Sequence, residues 1–119
     1  MYDHIGIKVK DLQTAIRFYK AALGDLGYQL CSSDESGAGF GPKGTPALWL
    51  YADKHAGGGV HIAFRVRSHA AVDGFHDAGV KAGGKDNGKA GLRKDYGPTY
   101  YAAFLIDPDG NNVEAVCMS

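Results

Sequence analysis

The chain has 119 residues, of which 45% are hydrophobic, and a formal net charge of zero from 13 basic and 13 acidic side chains. This length and composition suit one ordinary globular domain spanning 1–119. Balanced charge with no Lys/Arg cluster speaks against a nucleic-acid partner, and no apolar run approaches the roughly 20 residues of a membrane span.

The first predicted element is a strand from Tyr2 to Lys10. Ile5, Ile7 and Val9 alternate with His4, Gly6, Lys8 and Lys10, so the aliphatics share one face and His4 lies on the other. The pattern starts so early that no signal peptide is expected. Asp11 suits a helix N-cap, and Leu12, Ala15, Ile16, Tyr19, Ala22 and Leu23 follow at helical spacing to about Gly24. Short strands are expected at Tyr28 to Ser32, near Ala38 to Gly41, and from Ala47 to Ala52. Residues 53–59 read as a flexible connector between a first module (1–53) and a second (60–119).

The second module opens with Val60, Ile62, Phe64 and Val66 facing inward and His61, Ala63 and Arg65 facing the other way. Ser68 caps a helix with Val72, Phe75, Ala78 and Ala82 on its buried side, and Gly83-Gly84 ends it. Residues 85–99 are polar, rich in glycine and carry no readable period. Tyr100 to Ile106 is a strand, Asp107-Pro108-Asp109-Gly110 is a turn, and Asn112 to Met118 is the last strand. On that strand Val113, Ala115 and Cys117 share one face and Glu114 lies on the other. Cys31 and Cys117 make no disulfide framework; free thiols fit a cytoplasmic protein.

The two modules are copies. His4-Ile5-Gly6-Ile7-Lys8-Val9-Lys10 matches His61-Ile62-Ala63-Phe64-Arg65-Val66-Arg67, and the match runs on through Phe18 with Phe75. A repeat this long is a supersecondary unit. The reading is an α+β fold of two βαβββ modules forming a cupped eight-stranded mixed sheet with helices outside. His4, His61 and Glu114 then all lie on faces turned away from the helices. Two imidazoles and one carboxylate form a facial ligand set for one divalent metal ion, open to water and substrate. Lys8 and Arg65 are repeat equivalents near the histidines. They either hold an anionic substrate or are solvated strand ends. Arg93 and Tyr100 are candidate substrate contacts, while His55, His69 and His76 read as surface residues.

The segments YDHIGIKVKDLQTAIRFYKAAL, VHIAFRV and YYAAFLIDPDGNNVEAV resemble the vicinal oxygen chelate superfamily, which includes glyoxalase I, extradiol dioxygenases, fosfomycin-resistance thiol transferases and bleomycin-binding proteins. The resemblance spans nearly the whole chain. It implies metal ligands at His4, His61 and Glu114, an ion such as Zn, Fe, Mn or Ni, and Glu114 as a catalytic residue. It also implies a small-molecule substrate and a homodimer; the seven-residue connector allows modules to pair within one chain or between chains, and small members of the superfamily commonly pair between chains. Glyoxalase I proteins carry a glutamate on the last strand of module one, where this chain has Trp49. Indole neither ligates a metal nor accepts a proton, so standard glyoxalase I chemistry is not expected, and Trp49 becomes an apolar wall of the substrate site. The resemblance leaves lyase, isomerase, dioxygenase or thiol-transfer chemistry, and as the alternative a metal-free sequestering protein of the bleomycin-resistance type.

Overall fold

Two-residue alternation places the first strand. In the computed structural model, which describes residues 1–119, Ile7 and Val9 are buried while Gly6 and Lys8 are exposed. This strand, β1 (Ile5–Val9), leads into α1 (Leu12–Ala22), where the Asp11 carboxylate accepts from Thr14 N–H at 2.9 Å. Such a cap satisfies one of the free N–H groups of the first turn and contributes about 1 kcal/mol. Three strands follow: β2 (Gln29–Ser33), β3 (Gly37–Gly41) and β4 (Leu48–Ala52).

The second half repeats the order. β5 (His61–Arg65) precedes α2 (His69–Lys81), whose cap is Ser68 Oγ accepting from Ala71 N–H at 3.1 Å. Then come β6 (Lys85–Leu92), β7 (Tyr101–Ile106) and β8 (Asn112–Cys117). The fold is α+β, and the eight strands divide into two mixed sheets, ordered β1-β4-β3-β2 and β5-β8-β7-β6. In each, the leading strand is an edge strand running parallel to the last strand of its half.

The segment without a readable period holds β6. Its register shifts between Asp86 and Gly88 and again between Gly88 and Gly91. Each irregularity breaks the alternation that marks a strand in sequence. β6 also corrects the reading of His76 as a surface residue. Asp86 on this strand accepts from His76 Nε2–H at 2.9 Å, and the imidazole is only 12% exposed.

Each helix covers one face of its own sheet, and the two helices pack on each other. Gly79 permits that approach, since a Cβ there would fall 2.3 Å from Leu105 Cδ1 and 3.4 Å from Ala22 Cβ. One continuous apolar core therefore joins Ile7, Phe18 and Leu50 of the first half to Phe75, Leu105 and Val113 of the second. The faces away from the helices remain open on both sheets, with Gly6, Lys8, His61, Ala63 and Arg65 all exposed.

The β7–β8 turn ties the halves together. The buried Asp107 carboxylate accepts from the Tyr19 hydroxyl of α1, from Asn111 Nδ2 at 2.9 Å, and from the N–H groups of Asp109 and Asn111 at 2.8 and 2.9 Å. Lys10 N–H donates to Asp109 Oδ1 at 2.8 Å, and Val60 N–H to Asn111 Oδ1 at 3.1 Å. Burial, reinforced by the Asp107 charge, pushes the Tyr19 phenol well above its usual range, so it stays a donor. No helix is long and apolar enough to cross a membrane.

Candidate functional site

Strand register assembles the site on the open face of the second half. β8 lies between β5 and β7, and Glu114 is paired with Ala63 on one side and Phe104 on the other. Its carboxylate is 2% exposed. Burying a charge is tolerated only when hydrogen bonds replace water, and two side chains do so. His61 Nε2–H donates to Oε1 at 2.9 Å, and the Tyr100 hydroxyl donates to Oε2. Burial, the bond to Glu114 and the Glu114 charge push the Tyr100 phenol up to about 12. It therefore remains a neutral donor at physiological pH. The His61 ring is 54% exposed, so the pair presents one gripped carboxylate and one accessible imidazole.

His4 stands apart. Its Nδ1–H donates to Asp3 Oδ1 at 2.7 Å, which leaves Nε2 with a free lone pair. The imidazole lines a groove of about 300 Å³ together with Tyr28, Ile62, Phe64 and Arg65. Nowhere in one chain do three His, Cys, Asp or Glu side chains converge in a metal-ligating group. The donor types nonetheless suit a divalent cation. The 2.9 Å between His61 Nε2 and Glu114 Oε1 is close to the edge of a coordination sphere with bonds of about 2.1 Å. One chain thus offers two adjoining donors, and its His4 lies elsewhere.

The first half shows a different surface at the matching place. Trp49 pairs with Gly6 as Glu114 pairs with Ala63. On its other side is Gly39, where a Cβ would fall 2.8 Å from the indole carbon Cζ3 and 2.9 Å from Cη2. Tyr51 lies against Gly6 in the same manner, 2.7 Å from a Cβ there. Both rings lie over strand glycines.

The remaining predicted residues are scattered. Lys8 Nζ reaches Asp53 Oδ2 at 3.6 Å, Arg65 is exposed without an ion pair, and Arg93 lies over the Phe104 ring at 5.4 Å. Sequence reasoning did not single out Phe104 or Asp3. Phe104 was hidden in an apolar run whose pairing with β8 is a tertiary fact. Asp3 was readable only as the carboxylate preceding His4.

The sequence profile of the Glyoxalase/Bleomycin resistance protein/Dioxygenase superfamily matches residues 2–115. Among solved structures, a glyoxalase/bleomycin resistance protein from Albidiferax ferrireducens T118 is 28% identical with a TM-score of 0.87, the match covering 100% of this chain and 99% of that one. A putative glyoxalase from Bacillus halodurans is 27% identical with a TM-score of 0.74, covering 98% and 95%. A glyoxalase/bleomycin resistance protein/dioxygenase family enzyme from Burkholderia phytofirmans PsJN, 17% identical with a TM-score of 0.74 and covering 98% of each chain, shares the fold. The search of curated proteins finds no match.

Proposed function

Because this chain belongs to the Glyoxalase/Bleomycin resistance protein/Dioxygenase superfamily, we propose that it is a metal-dependent enzyme acting on a small substrate with two neighbouring oxygen atoms. The single observation that carries the reading is the adjoining His61–Glu114 pair, with Glu114 buried and held by Tyr100. A divalent ion bound there supplies Lewis acidity toward the substrate oxygens. Tyr100 keeps the Glu114 carboxylate oriented, and His61 presents its ring to the open side. Two free cysteines suit a cytoplasmic setting.

The third donor in this proposal is His4 of a second copy, within a homodimer. Support comes from the packing of α1 on α2, which joins the two halves through their helix-covered sides, and from the lack of a three-donor group within one chain. A second copy, turned to lay its first-half face on the second-half face of this one, closes both grooves. Trp49 then walls the substrate site. Standard glyoxalase I turnover is not expected, because Trp49 stands at the register of Glu114 and supplies no base.

Metal loading tests the reading. His4→Ala, His61→Ala and Glu114→Ala should each lower zinc or iron affinity at least about tenfold, measured by calorimetry and metal analysis with the fold verified by circular dichroism. Parent-like binding in all three would show the site assignment to be wrong. Co-refolding His4→Ala with Glu114→Ala tests the pairing. A swapped heterodimer collects both defects in one groove and restores the other, so part of the metal binding returns. Trp49 and Tyr51 lying over glycines favour one second reading, a metal-free small-molecule binder. A parent protein that binds no metal moves the function there.

A further inference from the structure

We propose that Arg93 anchors the carboxylate of a small organic acid on the open face of the second half, one aromatic ring away from His61 and Glu114. The inference deepens the reading of that face as a substrate site and rests on it.

Arg93 directly follows β6, and its N–H donates to the Tyr100 carbonyl at 2.7 Å, which sets it opposite the residue that grips Glu114. Its guanidinium is fixed from below. Nη1 donates to the Gly91 carbonyl at 2.8 Å and Nη2 to the Lys89 carbonyl at 2.6 Å. The glycines of β6 make the room for this fork: a Cβ at Gly88 would come within 3.1 Å of Nη2, and one at Gly91 within 3.4 Å of Nη1. Phe104, under the guanidinium at 5.4 Å, is the cross-strand neighbour of Glu114 and lies 6.5 Å from the His61 ring, centroid to centroid.

Charge accounting separates Arg93 from the other cations of the open faces. Lys8 is engaged with Asp53, and the ion pairs of the chain otherwise belong to His4, His61 and His76. Arg93 has no carboxylate partner. Arg65 also lacks one, but it is exposed and no hydrogen bond fixes its fork. A guanidinium offers five N–H donors, and Arg93 commits two to its own backbone. The rest of the fork is preorganised and unneutralised over an apolar ring, an arrangement that fits a planar two-oxygen anion. The acid so held would reach across Phe104 toward the His61–Glu114 donors with its remaining oxygen-bearing atoms.

The experiment is a titration of isotope-labelled protein, with and without added zinc, using benzoate, the neutral isostere benzamide, and phenylphosphonate. The Arg93 Nε–H resonance reports the site. Benzoate should shift that resonance and bind at least about tenfold tighter than benzamide, as a charge-assisted contact requires. Arg93→Gln should bring benzoate down to the benzamide level, Arg93→Lys should fall between, and Lys94→Gln should bind benzoate like the parent. Should Arg93→Gln fail to fold, the parent resonance and Arg93→Lys decide. Equal binding of benzoate and benzamide, no benzoate binding in either metal state, or benzoate binding indifferent to a folded Arg93→Gln would overturn the proposal. So would a clear preference for phenylphosphonate, which would assign a tetrahedral oxyanion. Zinc binding without an Arg93 effect sinks this inference alone. Benzoate seated on Arg93 in a protein that binds no zinc sinks only the metal reading.

Discussion

Trp49 and Glu114 hold one place in two copies of the same module. Each lies on the open face of its half's last strand, and each pairs with the residue two positions after its half's leading histidine. In the first half the neighbour on β3 is Gly39, and the indole spreads over it. In the second half the neighbour on β7 is Phe104, and the carboxylate is buried in the grip of Tyr100 and His61. The repeat therefore fixes a position, while the cross-strand neighbour and the connecting loop decide its chemistry. A strand of alternating glycines, Gly37-Ala38-Gly39-Phe40-Gly41, makes an aromatic platform. A bulged β6 leading into Arg93 and Tyr100 makes a charged pocket.

The largest expected effect concerns the junction of the halves, where the symmetry fails outright. The β7–β8 turn reaches across to Tyr19 and Lys10 of the first half. Asp107→Ala strands the Tyr19 hydroxyl and Asn111 Nδ2 in a buried setting. Each unsatisfied buried group costs about 1–3 kcal/mol, so a loss of about 2–6 kcal/mol is expected in urea unfolding. A loss below about 1 kcal/mol would mean that the halves are held by the α1–α2 core alone.

Second in size is the aromatic platform. Gly39→Ala places a Cβ in the Trp49 ring, which must lift off the strand, at a cost of about 1–3 kcal/mol. Trp49 is the only tryptophan, so its emission reports the displacement directly. Gly24→Ala, with nothing within 4 Å of the added carbon, is the control and should move stability by no more than about 0.5 kcal/mol. Unchanged emission in Gly39→Ala would sink the flat-lying geometry.

Tyr100→Phe tests the charged pocket, with an expected loss of about 1–2 kcal/mol, since the deleted bond goes to a buried carboxylate that keeps its bond from His61. The sign with pH follows from a phenol raised from 10 to about 12. The native state holds the Tyr100 proton more tightly than the unfolded chain does. That contribution is complete below pH 10 and is lost as pH rises through about 12. The stability gap between parent and Tyr100→Phe should thus be constant from pH 7 to about 9 and shrink between about 10 and 12. A gap that widens in that window would contradict the Tyr100–Glu114 bond.

Much of this comparison was legible in the sequence, for a physical reason. The helices announced themselves through Asp11 and Ser68 at their caps and through regular apolar spacing. β1, β5 and β8 alternate cleanly enough to put His61 and Glu114 on the open face and His4 directly before β1. Alternation gives a side chain's face but not its neighbour, so Tyr100 could be named as a candidate without its bond to Glu114. β6 was not legible, because two register shifts and Gly88 at φ 154° erase its period. With β6 unread, Asp86 beside His76 and the seat of Arg93 stayed hidden. The clamp at Asp107 was read only as a turn, since nothing local says that its carboxylate is buried against a tyrosine 88 residues away.

The smallest expected effect on stability, and the sharpest test of the equivalence itself, is Trp49→Glu. The site is half-buried and rests on a glycine, so the loss of indole packing is partly offset by solvation of the new carboxylate. A net change of about 1 kcal/mol is expected, near the centre of point-mutant effects. No Tyr100 counterpart waits in the first half to bury the new group. It should therefore stay mobile and ionised on the open face, at the register of Glu114. If the two open faces close on each other in a homodimer, the new carboxylate joins His4 opposite the His61–Glu114 pair and adds a fourth donor. Zinc affinity should then rise about tenfold or more, read by competition with a chelator. Turnover of the glutathione–methylglyoxal hemithioacetal becomes the companion assay, because the variant supplies the base that Trp49 withholds. An unchanged or weaker zinc affinity, with the fold intact, would show that position 49 never faces the donors of the second half and that register equivalence within one chain does not carry over to the assembled site.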